Sequence, residues 1–145
     1  MCSYDAPKAS AHPEGQHALF KNMLPASIAC HAPSLGTQWP CQQPPCAELM
    51  AVNGNTGDIA WRVPLGTTDE LEAKGIHNTG AFGQGGSIAT AGGLVFIAGT
   101  IDKHFRAFDS RTGKLLWESR MDAEGHTNPM TYQGRNGKQY VVIVS

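Results

Sequence analysis

Asp102 and the basic residues that follow it form the one stretch of this chain where several reactive side chain types lie together. Asp102 ends the segment Gly99-Thr100-Ile101-Asp102, and Lys103, His104 and Arg106 come directly after it. A carboxylate at the end of a strand can accept hydrogen bonds from a ligand, and aspartate is equally common there as a turn cap. Both interpretations stay open. Strand alternation puts Lys103 and His104 on opposite faces, so we expect the three basic side chains to be solvated.

Two further histidines lie in predicted loops. His126 precedes Pro129, and the pKa range of histidine suits proton transfer near neutral pH. His77 and Asn78 lead into a glycine-rich loop that could line a pocket, but this loop lacks the glycine spacing of a dinucleotide-binding turn. No Ser-His-Asp or Cys-His spacing supports nucleophilic catalysis. We interpret His126 as a surface loop residue.

The four cysteines do not have the spacing of a metal site. Cys41 and Cys46 flank a Gln-Gln-Pro-Pro segment, and neither they nor Cys2 and Cys30 form a Cys-x-x-Cys pair. His31 beside Cys30 does not complete the ligand pattern of an ordinary zinc module. We therefore expect free thiols or a single disulfide, and no metal site.

Composition excludes several classes of function. The formal net charge is −1 with 16% charged residues, so no basic excess points to nucleic acid. No apolar run approaches the roughly 18 residues of a membrane-spanning helix. The first residues lack the basic start and apolar stretch of a secretory signal, so no export signal is expected in this chain.

Abundant glycine and short apolar runs predict turn-rich β structure. Residues 1–37 show no period and are predicted to be a poorly ordered leader, with a short helix near 16–24. Residues 38–145 are predicted to form a β domain that opens with a proline-rich loop. Its hairpins and strands are expected at 48–65, 87–100, 103–121 and 129–145, with a helical turn at 69–72. Imperfect alternation over 105–108 suggests strands covered on both faces.

One unit occurs twice. Residues 51–61 and 107–117 both read A-φ-[ND]-x-x-T-G-x-φ-x-W, where φ is apolar, at an offset of 56 residues. Such a period indicates a propeller or a solenoid. The Asn or Asp starts a turn, the glycine supplies positive φ, and the tryptophan can pack flat against a neighbouring repeat. A unit of this kind cannot bury its apolar face alone and needs neighbours.

These units resemble the tryptophan-docking motif of the pyrroloquinoline-quinone (PQQ)-dependent dehydrogenases. Residues 85–97 look like a late-blade signature of that family, and 41–45 (CQQPP) resemble a segment of its membrane-bound glucose, quinate and shikimate dehydrogenase branch. Residues 129–132 and 137–141 match that branch in order and spacing. Cys46 and Ser87 depart from it, standing where Trp and Pro are usual. The resemblance implies an all-β fold: about two blades of an eight-bladed β-propeller with four-stranded antiparallel blades.

The resemblance also implies a function for the intact parent. It would oxidise a sugar, polyol or cyclic hydroxy-acid with PQQ and a Ca²⁺ or Mg²⁺ ion, and pass electrons to a quinone acceptor on the periplasmic side of the inner membrane. Asp102 matches the aspartate of the family's T-x-D element near the cofactor, which gives it a catalytic and cofactor-binding role. The basic residues after it could contact the carboxylates of PQQ.

Two other interpretations stay open. The chain could be a non-catalytic PQQ-repeat propeller module that binds a partner through a strand edge, or an inactive truncated gene product. Taken alone, the chain is expected to be poorly soluble, to lack dehydrogenase activity, and to bind neither PQQ nor a metal tightly. The reason is that it would hold about two of the eight blades.

Overall fold

A computed structural model of the protein describes residues 17–23 and 44–145. Nine strands and one short helix follow in chain order: β1 (His17–Met23), β2 (Ala47–Asn53), β3 (Ile59–Pro64), α1 (Asp69–Glu72), β4 (Ser87–Ala89), β5 (Leu94–Ile97), β6 (His104–Asp109), β7 (Leu115–Arg120), β8 (Met130–Gln133) and β9 (Gln139–Val142). The predicted all-β architecture and the helical turn at 69–72 are confirmed. Across these described residues, the structure has no helix of the length and apolarity that a bilayer crossing needs.

The strands form three antiparallel sheets. The first sheet has the order β1-β2-β3, the second β4-β5-β6-β7, and the third β8-β9. Each strand pairs with the next one along the chain within its sheet, which is the meander predicted from the short strands and tight turns. The second sheet is a complete four-stranded blade.

The helix predicted near residues 16–24 is wrong. This segment is strand β1, which pairs antiparallel with β2 from His17 opposite Asn53 to Met23 opposite Ala47. Backbone pairing with β2 overrides the local preference of a short apolar segment. The predicted division at residues 37 and 38 falls outside the described residues and stays a prediction.

The repeated unit has the same conformation in both copies. Ala51 lies opposite Trp61 and Ala107 lies opposite Trp117, and each strand has a bulge immediately after the alanine. A bulge kinks a strand and increases its twist. The two hairpins therefore share their register as well as their sequence pattern.

The core lies between the sheets. One buried cluster joins Leu49, Ala51, Trp61 and Leu65 of the first sheet and its exit to Val95, Ile97 and Phe108 of the second. A second cluster, on the opposite face of the second sheet, contains Leu94, Phe96, Ala98, Phe105 and Ala107. It is covered by Val141 of β9 and by Ile143, which follows that strand. The second sheet is thus covered on both faces, as the imperfect alternation along β6 predicted.

Candidate functional site

Asp102 lies in the tight turn that joins β5 to β6. The Lys103 N–H donates to the Thr100 carbonyl over 3.1 Å, and Lys103 takes a left-handed φ of 59° to close the turn. The Ile101 N–H donates to the Phe82 carbonyl over 2.9 Å, which anchors the turn to the glycine-rich loop. These backbone bonds fix where the Asp102 side chain points.

Both carboxylate oxygens of Asp102 are occupied by protein groups. Oδ1 accepts from Thr100 Oγ1 at 2.5 Å, from the His104 N–H at 3.2 Å and from Arg106 Nη1 at 3.2 Å. Oδ2 accepts from Arg106 Nη2 at 2.5 Å and from the Thr67 N–H at 2.8 Å. The Asp102 side chain is 1% exposed and that of Arg106 is 6% exposed. The pair is a buried, bidentate arginine–carboxylate contact.

The protonation of Asp102 follows from this environment. Burial by itself would raise its pKa, but hydrogen bonds from Arg106 and Thr100, the Arg106 charge and the Thr67 N–H together lower the pKa to about 2. A general base works best when its pKa lies near the operating pH. At neutral pH, Asp102 is therefore a strong hydrogen-bond acceptor and a weak proton acceptor.

The Asp102 network links the first sheet to the second. Thr67 belongs to the segment that leaves β3, and its N–H and Oγ1 both face Asp102 Oδ2, at 2.8 and 3.4 Å. Arg106 continues the network to β7, where its Nε lies 3.4 Å from Glu118 Oε2. The acid thus connects the exit of one repeat to two strands of the next.

The expectation that all three basic neighbours of Asp102 are solvated is wrong for Arg106. Arg106 is 5% exposed, because β6 is covered on both faces and its guanidinium needs the buried carboxylate as a partner. Lys103 and His104 are half-buried. His104 Nδ1 lies 2.8 Å from the Asp102 carbonyl oxygen and donates to it in the matching tautomer.

His77 and His126 both lie outside the strands and are exposed. This agrees with the predicted surface position of His126, whereas His77 was predicted to lead into a loop that could line a pocket. His77 Nδ1 lies 2.8 Å from Glu72 Oε2, and His126 Nε2 lies 3.3 Å from Glu124 Oε2. His77 thus contacts the last residue of α1 and His126 contacts a glutamate of its own loop, so neither contacts Asp102. Asn78 takes a left-handed φ of 57° beside His77.

Cys46 is the cysteine that falls within the described ranges; Cys2, Cys30 and Cys41 lie outside them. Its thiol is free and buried, and burial raises its pKa, so it stays protonated at neutral pH. Within residues 17–23 and 44–145, no group of three or more His, Cys, Asp or Glu side chains is arranged to hold a metal ion.

Trp61 docks the first repeat onto the second, as the sequence predicted. Its indole Nε1 donates to the Ser110 carbonyl over 2.9 Å. Its ring lies over Gly113, where a Cβ atom would come within 2.5 Å of the Trp61 Cε3 atom. Only glycine allows this approach, and the φ of 70° at Gly113 favours glycine as well.

An open groove lies on the other side of the second sheet. It has a volume of about 310 Å³ and runs between β7 and β9. Its apolar lining includes Phe105, Trp117, Met121, Val141 and Ile143, and Arg120 and Asp122 also line it. Neither this groove nor the Thr67 contact was predicted from the sequence.

Comparison with known proteins places these features in a family. The family model described as the β-propeller domain of glucose, ethanol and alcohol dehydrogenases, PQQ, matches residues 3–141. A probable quinate dehydrogenase (quinone) from Xanthomonas campestris pv. juglandis is 48% identical over 110 residues, which is 72% of this chain and 14% of that protein. A quinoprotein glucose dehydrogenase from Escherichia coli is 38% identical over 109 residues, again 72% and 14%.

A solved structure shows the same architecture. A europium-containing methanol dehydrogenase matches with a TM-score of 0.52 and 29% sequence identity, over 67% of this chain and 14% of that one. The chain therefore spans about 14% of the length of these relatives.

Proposed function

The chain belongs to the family of PQQ β-propeller domains of glucose, ethanol and alcohol dehydrogenases, and from this premise we propose that it supplies about two blades of a quinoprotein dehydrogenase. The intact propeller oxidises a sugar, polyol or cyclic hydroxy-acid to the lactone or ketone. The observation that carries this proposal is the 48% identity over 110 residues to a probable quinate dehydrogenase. That identity favours a dehydrogenase over a non-catalytic propeller module of the same repeats.

PQQ, when bound, supplies the redox chemistry of such an enzyme, and the protein supplies its binding and orientation. Among residues 17–23 and 44–145, the side chains do not fit the accompanying metal ion. Asp102 is the buried acid of the described residues, and its oxygens already accept from Thr67, Thr100, His104 and Arg106. We assign no Ca²⁺ or Mg²⁺ ligand to this chain. The metal ligands and most quinone contacts come from the remaining blades, and the chain alone binds neither group tightly.

The catalytic and cofactor-binding assignment of Asp102 remains a proposal, and the geometry favours one form of it. With a pKa of about 2, Asp102 is poorly suited to take a proton from an alcohol at neutral pH. It is well suited to hold the β5–β6 turn and Arg106 in place. We propose that Asp102 acts on the cofactor site as a positioning residue, through that turn.

The same family membership supports a cellular setting for the intact enzyme. We propose that it works on the periplasmic side of the inner membrane and delivers electrons to a quinone acceptor. The two relatives described above come from bacteria and are a quinone-dependent and a quinoprotein dehydrogenase.

A graft tests the functional assignment. The matching 110-residue stretch of the Xanthomonas quinate dehydrogenase is replaced by that of this chain. PQQ-dependent dye reduction is then measured with quinate, shikimate, glucose and glycerol. Retained activity supports the proposal, and the substrate profile shows whether this segment influences specificity.

Two variants of the graft test the role of Asp102. Asp102→Asn keeps the shape of the side chain but removes the charge that holds Arg106. Asp58→Asn is the matched control, because it removes an exposed carboxylate from a distant turn. A positioning role predicts weaker PQQ binding with an unchanged pH profile of kcat. A shift of the acid limb of that profile would instead identify Asp102 as the base.

The chain on its own is expected to be inactive. Purified chain mixed with PQQ, Ca²⁺ or Mg²⁺, and quinate or glucose should not reduce the dye above the rate of PQQ with metal alone. Substrate-dependent reduction by the isolated chain would contradict the assignment of the metal and quinone contacts to other blades.

A further inference from the structure

The two crossovers that lead from one sheet to the next differ in length. The first, between β3 and β4, covers residues 65–86, and the second, between β7 and β8, covers residues 121–129. Connections in an antiparallel meander alternate between its two ends. The start of β4, the β5–β6 turn and the end of β7 therefore share one end of the second sheet. Nine residues are enough for the second crossover, so the 22 residues of the first do more than connect two sheets.

The additional residues of the first crossover form a closed loop. The Thr68 N–H donates to Thr79 Oγ1 over 2.8 Å, and Thr68 Oγ1 donates to the Gly80 carbonyl over 3.1 Å. These bonds join the two ends of the ten-residue segment 69–78, which we call the crossover loop. The buried side chain of Leu71 in α1 packs inside it. Compact surface loops whose ends are joined in this way are frequently functional.

The base of the crossover loop is attached to the turn that contains Asp102. On the side where the chain enters the loop, the Thr67 N–H donates to Asp102 Oδ2 over 2.8 Å. On the side where the chain leaves it, the Phe82 carbonyl accepts from the Ile101 N–H over 2.9 Å. The β5–β6 turn thus holds the loop from both sides. Since Asp102 is proposed to position the cofactor site through this turn, the same attachment places the loop beside that site.

The crossover loop is rich in groups that can form hydrogen bonds with hydroxyls. Its exposed polar residues are Asp69, Glu70, Lys74, His77 and Asn78. His77 Nδ1 lies 2.8 Å from Glu72 Oε2, which holds the imidazole in place. Charged and amide side chains are poorly suited to packing between blades, because a buried polar group costs free energy unless it is paired. They suit a water-filled opening through which a polar substrate passes.

We propose that the crossover loop is a specificity-determining element of the intact dehydrogenase, and that it binds hydroxyl groups of a polyhydroxylated substrate at the entrance to the cofactor site. This inference rests on the proposed function of the chain as part of a quinoprotein dehydrogenase. The loop holds the substrate away from the reacting carbon, so it contributes equally to the ground state and the transition state. Such uniform binding lowers KM and leaves kcat unchanged.

A shortened graft tests the inference. In the quinate dehydrogenase that contains this chain's segment, residues 69–78 are replaced by two glycines between the bonded Thr68 and Thr79. The KM for the preferred substrate should rise about tenfold, which corresponds to the loss of one or two hydrogen bonds. The kcat and the dissociation constant of PQQ should change by less than about twofold.

A matched pair of histidine variants provides the second test and does not depend on the folding of the shortened graft. His77→Ala removes one polar side chain of the crossover loop, and the KM should rise about threefold. His126→Ala is the control, because His126 is also exposed and paired with a glutamate but lies in the short crossover. Its KM should stay within about twofold of that of the unmodified graft.

The outcomes separate this inference from the proposed function. An active graft whose shortened form and His77→Ala variant keep the original KM for all four substrates would overturn the inference alone. Equal effects of His77→Ala and His126→Ala would do the same, as would a loss of PQQ affinity at unchanged KM, which would assign the loop to the cofactor. An unmodified graft that folds and has no activity would overturn the proposed function, and this inference with it.

Discussion

The two copies of the repeated unit share a backbone but differ in what they bury. At the repeat offset of 56 residues, Cys46 takes the place of Asp102 and Met50 takes the place of Arg106. A buried neutral thiol thus lies just before the first copy, where a buried ion pair lies just before the second. The hairpin, its bulge and its glycine turn form in both copies, so the ion pair is not needed to make this hairpin.

This difference indicates what the ion pair adds. Asp102 reaches Thr67, which follows β3, whereas the described hydrogen bonds include none from the Cys46 thiol. The second copy is therefore joined to the preceding repeat by the hydrogen bonds from Thr67 to Asp102, in addition to the docked Trp61. We call these hydrogen bonds and the Asp102–Arg106 pair the polar clamp. Two contacts therefore join the first and second sheets: the packed Trp61 ring with its hydrogen bond to Ser110, and the hydrogen bonds from Thr67 to the Asp102 carboxylate.

The largest expected effect distinguishes Trp61, which packs on Gly113, from Trp117, which lines the open groove. Trp61→Ala should lower the free energy of unfolding by about 3–5 kcal/mol, since it empties the core between two sheets. Trp117→Ala should cost about 1–2 kcal/mol, because that ring is half-buried beside the open groove. Urea unfolding at low protein concentration measures both. Equal losses would contradict the difference in docking.

The next effect concerns the ion pair. Asp102→Ala should destabilise the fold by about 3 kcal/mol, because it leaves the Arg106 guanidinium buried without its partner. The double variant Asp102→Cys with Arg106→Met copies the first unit into the second. The free energy of unfolding of this double variant should lie within about 1 kcal/mol of that of the wild type. A double variant as unstable as the single one would show that the clamp is essential to this blade.

Lowering the pH should weaken the polar clamp without a mutation, because it removes the charge of Asp102. The pKa of Asp102 is lowered from its usual value of 3.8 to about 2, so the folded state holds this carboxylate charged. This charged carboxylate contributes about 2 kcal/mol to the free energy of unfolding. The contribution is complete above about pH 4 and is lost as the pH falls toward 2. The stability difference between the wild type and the Cys-Met double variant should therefore change across this window. A difference that does not vary with pH would contradict the lowered pKa.

The smallest effect compares Gly57 and Gly113, the glycines of the two repeated turns. Gly57→Ala and Gly113→Ala both place alanine at a left-handed φ, which costs about 1 kcal/mol. Gly113→Ala should cost about 1 kcal/mol more, because the new methyl group strikes the Trp61 ring. The matched pair isolates the docking contact from the strain of the turn. Thermal unfolding of the monomer is sufficient to resolve it.

Much of this fold could be predicted because its signals are local. The turn of each unit is set by an Asn or Asp that accepts from the backbone two residues on, at 2.9 Å from Asn53 Oδ1 to the Asn55 N–H and from Asp109 Oδ1 to the Arg111 N–H. The role of Trp61 followed from the repeat, because a unit that cannot bury its own face must dock on its neighbour.

The surroundings of Asp102 could not be predicted in the same way. Its donor Thr67 lies 35 residues earlier and contributes a backbone N–H, which no residue type identifies. The alternation over 105–108 predicted cover on both faces of β6, but the burial of Arg106 was missed because a buried guanidinium needs a partner, and the sequence does not show that the Asp102 carboxylate lies within its reach. The assignment of β1 failed because its structure depends on the pairing with β2 and not on its own seven residues.

Turnover by the grafted quinate dehydrogenase tests the central claim most directly. If this chain supplies blades of a quinoprotein dehydrogenase, the graft should oxidise quinate or a related alcohol with PQQ at a kcat within about tenfold of its parent, a loss of no more than about 1.4 kcal/mol in transition-state stabilisation. A graft that folds and binds PQQ yet oxidises none of the four substrates would contradict the claim.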